Sequence, residues 1–498
     1  MAVRDVSQDP LDDGLFGAAD LTHVEIGEPG VDANAGVNKR FRAFDPNQVM
    51  LVPPSLDEWL PENHLSRFIA EIVDTELDLS RFYASYGKAK GYPPYDPRLM
   101  VRVLIYGYCV GVRSSRELER ACVDVVAFRW LSAQQYPDFR SFARFRKRHL
   151  AALGNVFLQA LELCRAAGMV SLGQVALDGT KVRANASRRK AMSYARLSEK
   201  QKVLAQEVSD LLADAEQIDA GEDARFGDKR GDELPAELAR RESRLVKIAA
   251  AKEQLESEAA ERARAAAEQK AREDGDDDAG VTAKGEDAAA TAVVKPTAQR
   301  NFTDPDARIM KTADGSFHYS YTAQAVVDGD HQVIVVTELT NIAVDVQQMV
   351  PMLDLLEETV HAAPGEVLID AGYCSTSNLK HAQDIEAATG GATQFFIATG
   401  RVKHSEPIPE TVTGAPPEGA SLKAQMAHRL KTDAGKAAYA RRKAIVEPVF
   451  GQIHTRQGKH LLLRGLEQAK EEWLLLAGCH NLMKLFTHRT DTVAAASG

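Results

Sequence analysis

The sequence is poor in cysteine and tryptophan, with five of the first and three of the second among 498 residues. Cys109, Cys122, Cys164, Cys374 and Cys479 form no Cys-x-x-Cys pair and no metal-ligand spacing, so they read as reduced core thiols and exclude a disulfide framework. Long apolar runs are also missing. No window approaches the roughly 18 to 20 consecutive apolar residues that a membrane-crossing helix needs. The stretch Met1 to Pro10 carries acids and lacks a basic segment followed by an apolar one, which speaks against a secretory signal. A cytoplasmic protein with no membrane partner is the expectation.

Positive charge is scarce overall, since the formal net charge is -10. Taken alone, that discourages a nucleic-acid partner. The distribution reverses the inference, because residues 199–290 hold 25 acids against 15 bases and residues 1–60 hold 11 against 4. The rest of the chain carries 42 bases against 35 acids. Two acidic segments mask a mildly basic body.

A single core rarely grows past about 250 to 300 residues, so two or more domains are expected. Residues 1–44, rich in Asp, Gly and Ala, suggest an acidic flexible tail. Residues 45–170 read as an all-helical N-terminal domain. Leu65, Phe68, Ile69, Ile72 and Val73 follow helical spacing. Asp96-Pro97, Ser114 with Glu117, and Pro137-Asp138 each look like helix starts.

Residues 171–178 then become a short apolar run ending in Asp-Gly, a strand signal. Residues 190–299 are dominated by Ala, Glu, Lys, Arg, Gln and Asp, which suggests a solvated helical hairpin with apolar residues too sparse for a core. Its end, near 273–290, reads as disordered. Beyond it, 317–327 and 332–339 predict a hairpin turning at Asp328-Gly329-Asp330. Val344–Val360 predicts a helix, Glu366–Asp370 and Gln394–Ala398 strands, and Lys436–Ile453 and Glu471–Leu485 helices, with 488–498 left as a C-terminal tail. With the insertion removed, this is the element order of an α/β ribonuclease-H-like domain, spanning 171–189 and 300–487.

Three carboxylates stand out. Asp178 ends Val175-Ala176-Leu177 and Asp370 ends Val367-Leu368-Ile369, each with Gly one or two residues on. In the expected fold these strands are neighbours, so the two acids would face each other. For either Asp alone, a turn after a strand is the simpler reading. Glu447 is one of only 2 acids among 10 bases between residues 421 and 466, which suits a metal ligand on a phosphate-facing surface. A local ion pair with Lys443 is the plainer alternative. Pro448 directly after Glu447 disfavours helix there, so the helix either kinks or starts at that point. Two or three converging carboxylates would suit a pair of Mg²⁺ ions, with Mn²⁺ as a substitute, in phosphodiester cleavage. In the helical domain, Arg140, Arg144, Arg146, Lys147, Arg148 and His149 interleave with Phe142 and Phe145, so that cations could reach DNA phosphates while the aromatics face the core.

Several segments together resemble the DDE transposases of bacterial insertion sequences, with most likeness to the IS1182 group, related to the IS4 and IS5 families. They are Val175-Ala-Leu-Asp-Gly-Thr-Lys-Val-Arg-Ala-Asn-Ala, Asn301-Phe-Thr-Asp-Pro-Asp-Ala-Arg-Ile-Met-Lys, Tyr321 with Gln324, and Val446-Glu-Pro-Val-Phe-Gly-Gln-Ile. Tyr95-Asp-Pro-Arg-Leu-Met-Val and the run from Gly107 to Glu119 resemble the helical domain that precedes the catalytic core in that family. The resemblance implies that Asp178, Asp370 and Glu447 are the catalytic, metal-binding triad. It implies that Tyr439 and Arg442 belong to a Tyr-Arg-Glu-Lys signature whose basic members contact phosphates. Four residues rather than three separate Arg442 from Glu447, so Lys443 is a candidate for the arginine's role. His454 stands where the signature has Lys, with Arg456 a possible substitute. Asp304, Asp306 and Arg308 lie in a resembling motif, with a local turn their expected use.

The resemblance further implies strand cleavage and transfer on terminal inverted repeats and target DNA, by a homo-dimer or larger assembly, associated with the nucleoid when bound. A catalytically inactive, transposase-derived DNA-binding protein is the alternative.

Overall fold

The start signals in the sequence work as capping chemistry. The Asp96 carboxylate accepts the Arg98 backbone N–H at 2.8 Å, and Pro97 opens the helix Pro97–Val110, which stops at Gly111 in the left-handed region. Ser114 and Glu117 close a reciprocal capping box on the helix Ser115–Asp124. Asp138 caps the helix Phe139–Arg148. Phe68, Ile69, Ile72 and Val73 are buried, as their spacing requires, although the chain widens into a π turn at Ile72–Glu76. The computed structural model describes residues 55–86, 94–226, 236–274, 277–312, 314–400 and 410–497, so the expected tail over 1–44 lies outside the described residues.

Among the described residues eight strands follow in chain order: β1 (Gln174–Arg183), β2 (Ala191–Ser193), β3 (Gln299–Asn301), β4 (Arg308–Lys311), β5 (Phe317–Asp328), β6 (Ile334–Thr340), β7 (Glu366–Ile369) and β8 (Gln394–Ile397). β1 is central, antiparallel to β5 and parallel to β7, and β8 extends the sheet beyond β7. β6 and β4 both pair with the far edge of β5. The register sets Leu177 opposite Ile369, so Asp178 and Asp370 come next along two adjacent parallel strands.

Period-two alternation sends side chains to two apolar clusters. Val175, Leu177, Val367 and Ile369 pack with the helices Met349–Val360 and Thr376–Ala388. Ala176, Val182 and Leu368 join a larger core that holds Ile445, Val446 and Val449 of the helix Arg442–Gln452. That core continues into the helical segment, where Leu104, Phe142, Phe157 and Leu161 share it with Trp473, Leu476 and Leu482 of the helix Leu466–Ser497. A polar network crosses the same boundary. Glu472, 1% exposed, accepts the N–H groups of Leu462 and Leu463 and lies 3.5 Å from Arg113. Burial raises its carboxyl pKa, opposed by the Leu463 N–H and Arg113.

Several expectations are corrected. The segment 278–290, expected to be disordered, is the helix Asp278–Ala290, started by Asp277 accepting the Gly280 N–H. It packs on the helix Ala236–Asp274 closely enough that a Cβ on Gly285 would lie 2.7 Å from the Glu268 side chain. The insertion also owns a small core of Leu197, Leu204, Ile248, Ala251, Leu255 and Val294, closed at its base by the β2–β3 pair. Few apolar residues suffice because they cluster where the helices Tyr194–Phe226 and Ala236–Asp274 meet the sheet domain. The helix expected over 344–360 begins at Met349. The one expected over 436–453 is two helices, Asp433–Ala440 and Arg442–Gln452, followed by a π turn at Ile453–Gln457. Residues 488–497 are not a separate tail but the last turns of Leu466–Ser497.

Pro448 sits inside Arg442–Gln452 without ending it. Proline removes the N–H that would bond the Ala444 carbonyl. That carbonyl instead accepts the Gln332 side-chain amide at 2.8 Å, from the β5–β6 turn.

Candidate active site

Asp178 and Asp370 meet on one guanidinium. Arg442 Nη1 donates to Asp178 Oδ2 at 2.7 Å, and Nη2 lies 3.5 Å from Asp370 Oδ1. The Arg442 side chain is 7% exposed, against 21% for Asp178 and 40% for Asp370. The backbone N–H of Gly179 donates to Asp178 Oδ1 at 2.7 Å. Burial raises the Asp178 pKa, Arg442 opposes that shift, and Asp370 adds to it. The Arg442 guanidinium also stands 5.8 Å from the centre of the Tyr439 ring. Burial is the main cause that pushes the Tyr439 hydroxyl up.

The third expected carboxylate does not join them. Glu447 is exposed on the same helix, and no hydrogen bond or ion pair ties it to Asp178, Asp370 or Lys443. Five residues along a helix turn a side chain about 140° away, which explains why Arg442 faces the sheet and Glu447 does not. Among the described residues no three His, Cys, Asp or Glu side chains are grouped to hold a metal ion. Two carboxylate oxygens converging on a single cationic group are nonetheless the donor chemistry that Mg²⁺ takes, so Asp178 and Asp370 fit a divalent cation.

Arg442 is buried against the two aspartates, whereas Lys443, the other candidate for the signature arginine's role, is exposed. His454 lies in the π turn, half-buried, with its Nε2 unpartnered; burial, then Lys459, lowers its pKa. Arg456 is exposed in the same turn. On Phe139–Arg148, Phe142 and Phe145 are buried while Arg140, Arg144, Lys147 and Arg148 are exposed. Arg146 and His149 break that pattern. Arg146 is buried, donating to the Tyr108 hydroxyl at 3.2 Å and to Ser115 Oγ at 2.9 Å, and His149 packs 4.5 Å from the Phe145 ring.

Residues 54–148 match the family "Transposase domain (DUF772)", and residues 410–486 match the family "Transposase DDE domain". Both are transposase domains. No curated protein and no solved structure matches the chain. The first match holds Arg140, Arg144, Lys147 and Arg148, and the second holds Tyr439, Arg442, Lys443, Glu447, His454 and Arg456. Asp178 and Asp370 lie outside both, so the Arg442 bridge physically joins them to a matched segment.

Asp304, Asp306 and Arg308 prove to be anchors. Asp304 Oδ1 accepts the Tyr321 hydroxyl at 2.7 Å and the Gly465 N–H at 3.2 Å, and Asp306 Oδ2 accepts the Leu466 N–H at 2.9 Å. Arg300 and Arg308 both bond Glu258 of the insertion. One polar residue near the site carries no sequence signal at all. Asp345, in the connection from β6 to the helix Met349–Val360, accepts the Gln324 amide at 3.0 Å and lies 3.5 Å from Lys181 Nζ. Nothing in its sequence neighbours marks it, because its partners lie on β1 and β5. Among the described residues no helix is long and apolar enough to cross a membrane.

Proposed function

We propose that the chain is the DNA transposase of an insertion sequence, with a ribonuclease-H-like catalytic domain, a helical domain that contributes to DNA binding, and a charged helical insertion. The observation that carries this reading is the meeting on Arg442, inside a segment that matches a transposase DDE domain, of Asp178 from the middle of β1 and Asp370 from the end of β7. Asp178 and Asp370 are the carboxylates that would hold a divalent cation, Mg²⁺ or Mn²⁺, and Glu447, which faces away from them on the helix Arg442–Gln452, would become a third ligand only if that helix turned when DNA binds. When bound, such an ion supplies Lewis-acid stabilisation at the phosphodiester and an activated oxygen nucleophile. The remaining work falls to side chains. Arg442 and Tyr439 line the carboxylates, and were a cation to take over Asp178 and Asp370, the Arg442 guanidinium would be free to pair with a DNA phosphate. Lys443, His454 and Arg456, together with Arg140, Arg144, Lys147 and Arg148, supply contacts that track the backbone. Cleavage at each element end frees a 3′-hydroxyl, which attacks target DNA. Holding two ends at once calls for a dimer or larger assembly.

The test incubates purified protein with labelled DNA from the inverted repeats that flank its gene, in Mg²⁺ or Mn²⁺, beside Asp178→Asn, Asp370→Asn and Glu447→Gln. Cutting by the wild type and none by the variants is expected. Cutting that survives in the Asp variants would overturn the site. Binding without any cutting by the wild type would favour the DNA-binding alternative.

A further inference from the structure

Behind Asp178 the sheet carries a polar strap that strand pairing alone does not require. Gly179 of β1 stands opposite Gln324 of β5. Opposed residues of an antiparallel pair share a face, and since Gly179 has no side chain, the Gln324 amide lies across β1. A Cβ on Gly179 would sit 2.7 Å from Gln324 Nε2 and 3.0 Å from its Oε1. The amide reaches two partners. Its Nε2 donates to Asp345 Oδ1 at 3.0 Å, and its Oε1 accepts the Tyr373 hydroxyl. Tyr373 follows Asp370 by three residues, and its own N–H donates to the Asp370 carbonyl at 3.2 Å. Gln324 is 0% and Tyr373 1% exposed, so neither bond competes with water.

Asp345 is fixed in turn. Lys181 Nζ lies 3.5 Å from it and donates to Thr322 Oγ1 at 3.0 Å and to the Ala343 carbonyl at 2.9 Å. On the other side Asp345 packs against Gly372, where a Cβ would make an ordinary contact 3.4 Å from Asp345 Oδ2. Gly179 and Gly372 are not among the glycines with positive φ. Space, not turn geometry, is therefore what glycine provides after Asp178.

We propose that Gln324, Tyr373 and Asp345 are positioning residues, which set the spacing of Asp178 and Asp370 by tying β5, across the bare stretch of β1, to the turn after β7. This rests on the reading of Asp178 and Asp370 as cation ligands. Groups that orient ligands from behind typically change metal affinity by roughly 10- to 100-fold when removed.

The experiment uses the full-length protein with Mn²⁺ as the probe, reading free Mn²⁺ by electron paramagnetic resonance and the thermal midpoint in parallel. Tyr373→Phe removes one hydroxyl, Gln324→Asn shortens the strap, and Gly179→Ala pushes the amide aside. Each should weaken Mn²⁺ binding about tenfold in protein that stays folded at the assay temperature. Gln324→Asn combined with Tyr373→Phe should cost no more than either alone, because both cut the same link. Mn²⁺ affinity within twofold of wild type in Tyr373→Phe and Gly179→Ala, while Asp178→Asn abolishes it, would overturn the strap and leave the site standing. Asp178→Asn and Asp370→Asn that leave Mn²⁺ binding as in the wild type, whether strong or absent, would overturn the site reading and the strap with it.

Discussion

Arg442→Met keeps the aliphatic stem and removes the guanidinium that joins the two aspartates. Its bond to Asp178, at 2.7 Å between side chains 7% and 21% exposed, is a charge-assisted hydrogen bond worth roughly 1.5 to 3 kcal/mol. The contact to Asp370 is 3.5 Å long and that carboxylate is 40% exposed, so solvent screening discounts it to about 0 to 1 kcal/mol. The variant should therefore lose about 1.5 to 4 kcal/mol in EDTA. Two carboxylates then face each other without a counterion, which favours a divalent cation more than in the wild type, where Arg442 competes. A ligand at one hundred times its Kd stabilises by about 2.7 kcal/mol, so Mn²⁺ should restore most of the deficit. Urea unfolding in EDTA and in Mn²⁺, with the m-value checked for constancy, reads both quantities. A deficit below about 0.5 kcal/mol in EDTA would show that the bridge contributes nothing measurable. A deficit that Mn²⁺ leaves unchanged would refute the two aspartates as a cation site.

Other predictions address the rest of the fold. His480 is buried, donating from Nε2 to the Gln332 carbonyl at 3.1 Å, and burial lowers its pKa from 6.5 to about 3. The unfolded chain takes up that proton first, so stability is full above about 6.5 and is lost as pH falls toward about 3. Between pH 7 and 5 the loss is on the order of 2 kcal/mol, and His480→Gln should flatten that part of the stability-versus-pH curve. Replacing Arg140, Arg144, Lys147 and Arg148 by Gln should reduce the slope of log K against log salt for random duplex DNA by about 0.9 for each phosphate that is no longer neutralised; an unchanged slope in fluorescence anisotropy would remove this helix face from the DNA interface. Glu258→Ala removes the carboxylate paired with Arg300, which is 3% exposed, and with Arg308, leaving both guanidinium groups, among the described residues, only backbone carbonyl partners. It should cost about 3 kcal/mol and raise amide exchange around Leu197 and Ile248, and unchanged protection there would contradict the anchoring role.

Much of the site was legible in the chain, for local reasons. A carboxylate closing an apolar run in two places implied two strand ends, which holds for Asp370 but not for Asp178, where β1 continues to Arg183 because its second half pairs with β5; parallel pairing in register still brings the two side by side. Helix starts at Asp96, Ser114 and Asp138 were readable because caps act within three residues. The exposed cations of Phe139–Arg148 followed from helical spacing, whereas Arg146 did not, because its burial depends on Tyr108 and Ser115 from other helices. The helix break at Arg441 and the passage through Pro448 were equally out of reach, the latter because a side chain 112 residues away supplies the missing donor.

Sequence alone determined where the charge lies, where the capped helices start, and that Asp178 and Asp370 each follow an apolar strand segment, since these rest on spacing and on chemistry within a few residues. Only the tertiary structure decided that Arg442 rather than Lys443 fills the gap between them, that Glu447 faces away, and that Gly179 makes room for the Gln324 amide. Those outcomes depend on which side chains occupy one shared volume, and that volume is set by segments brought together only when the chain folds.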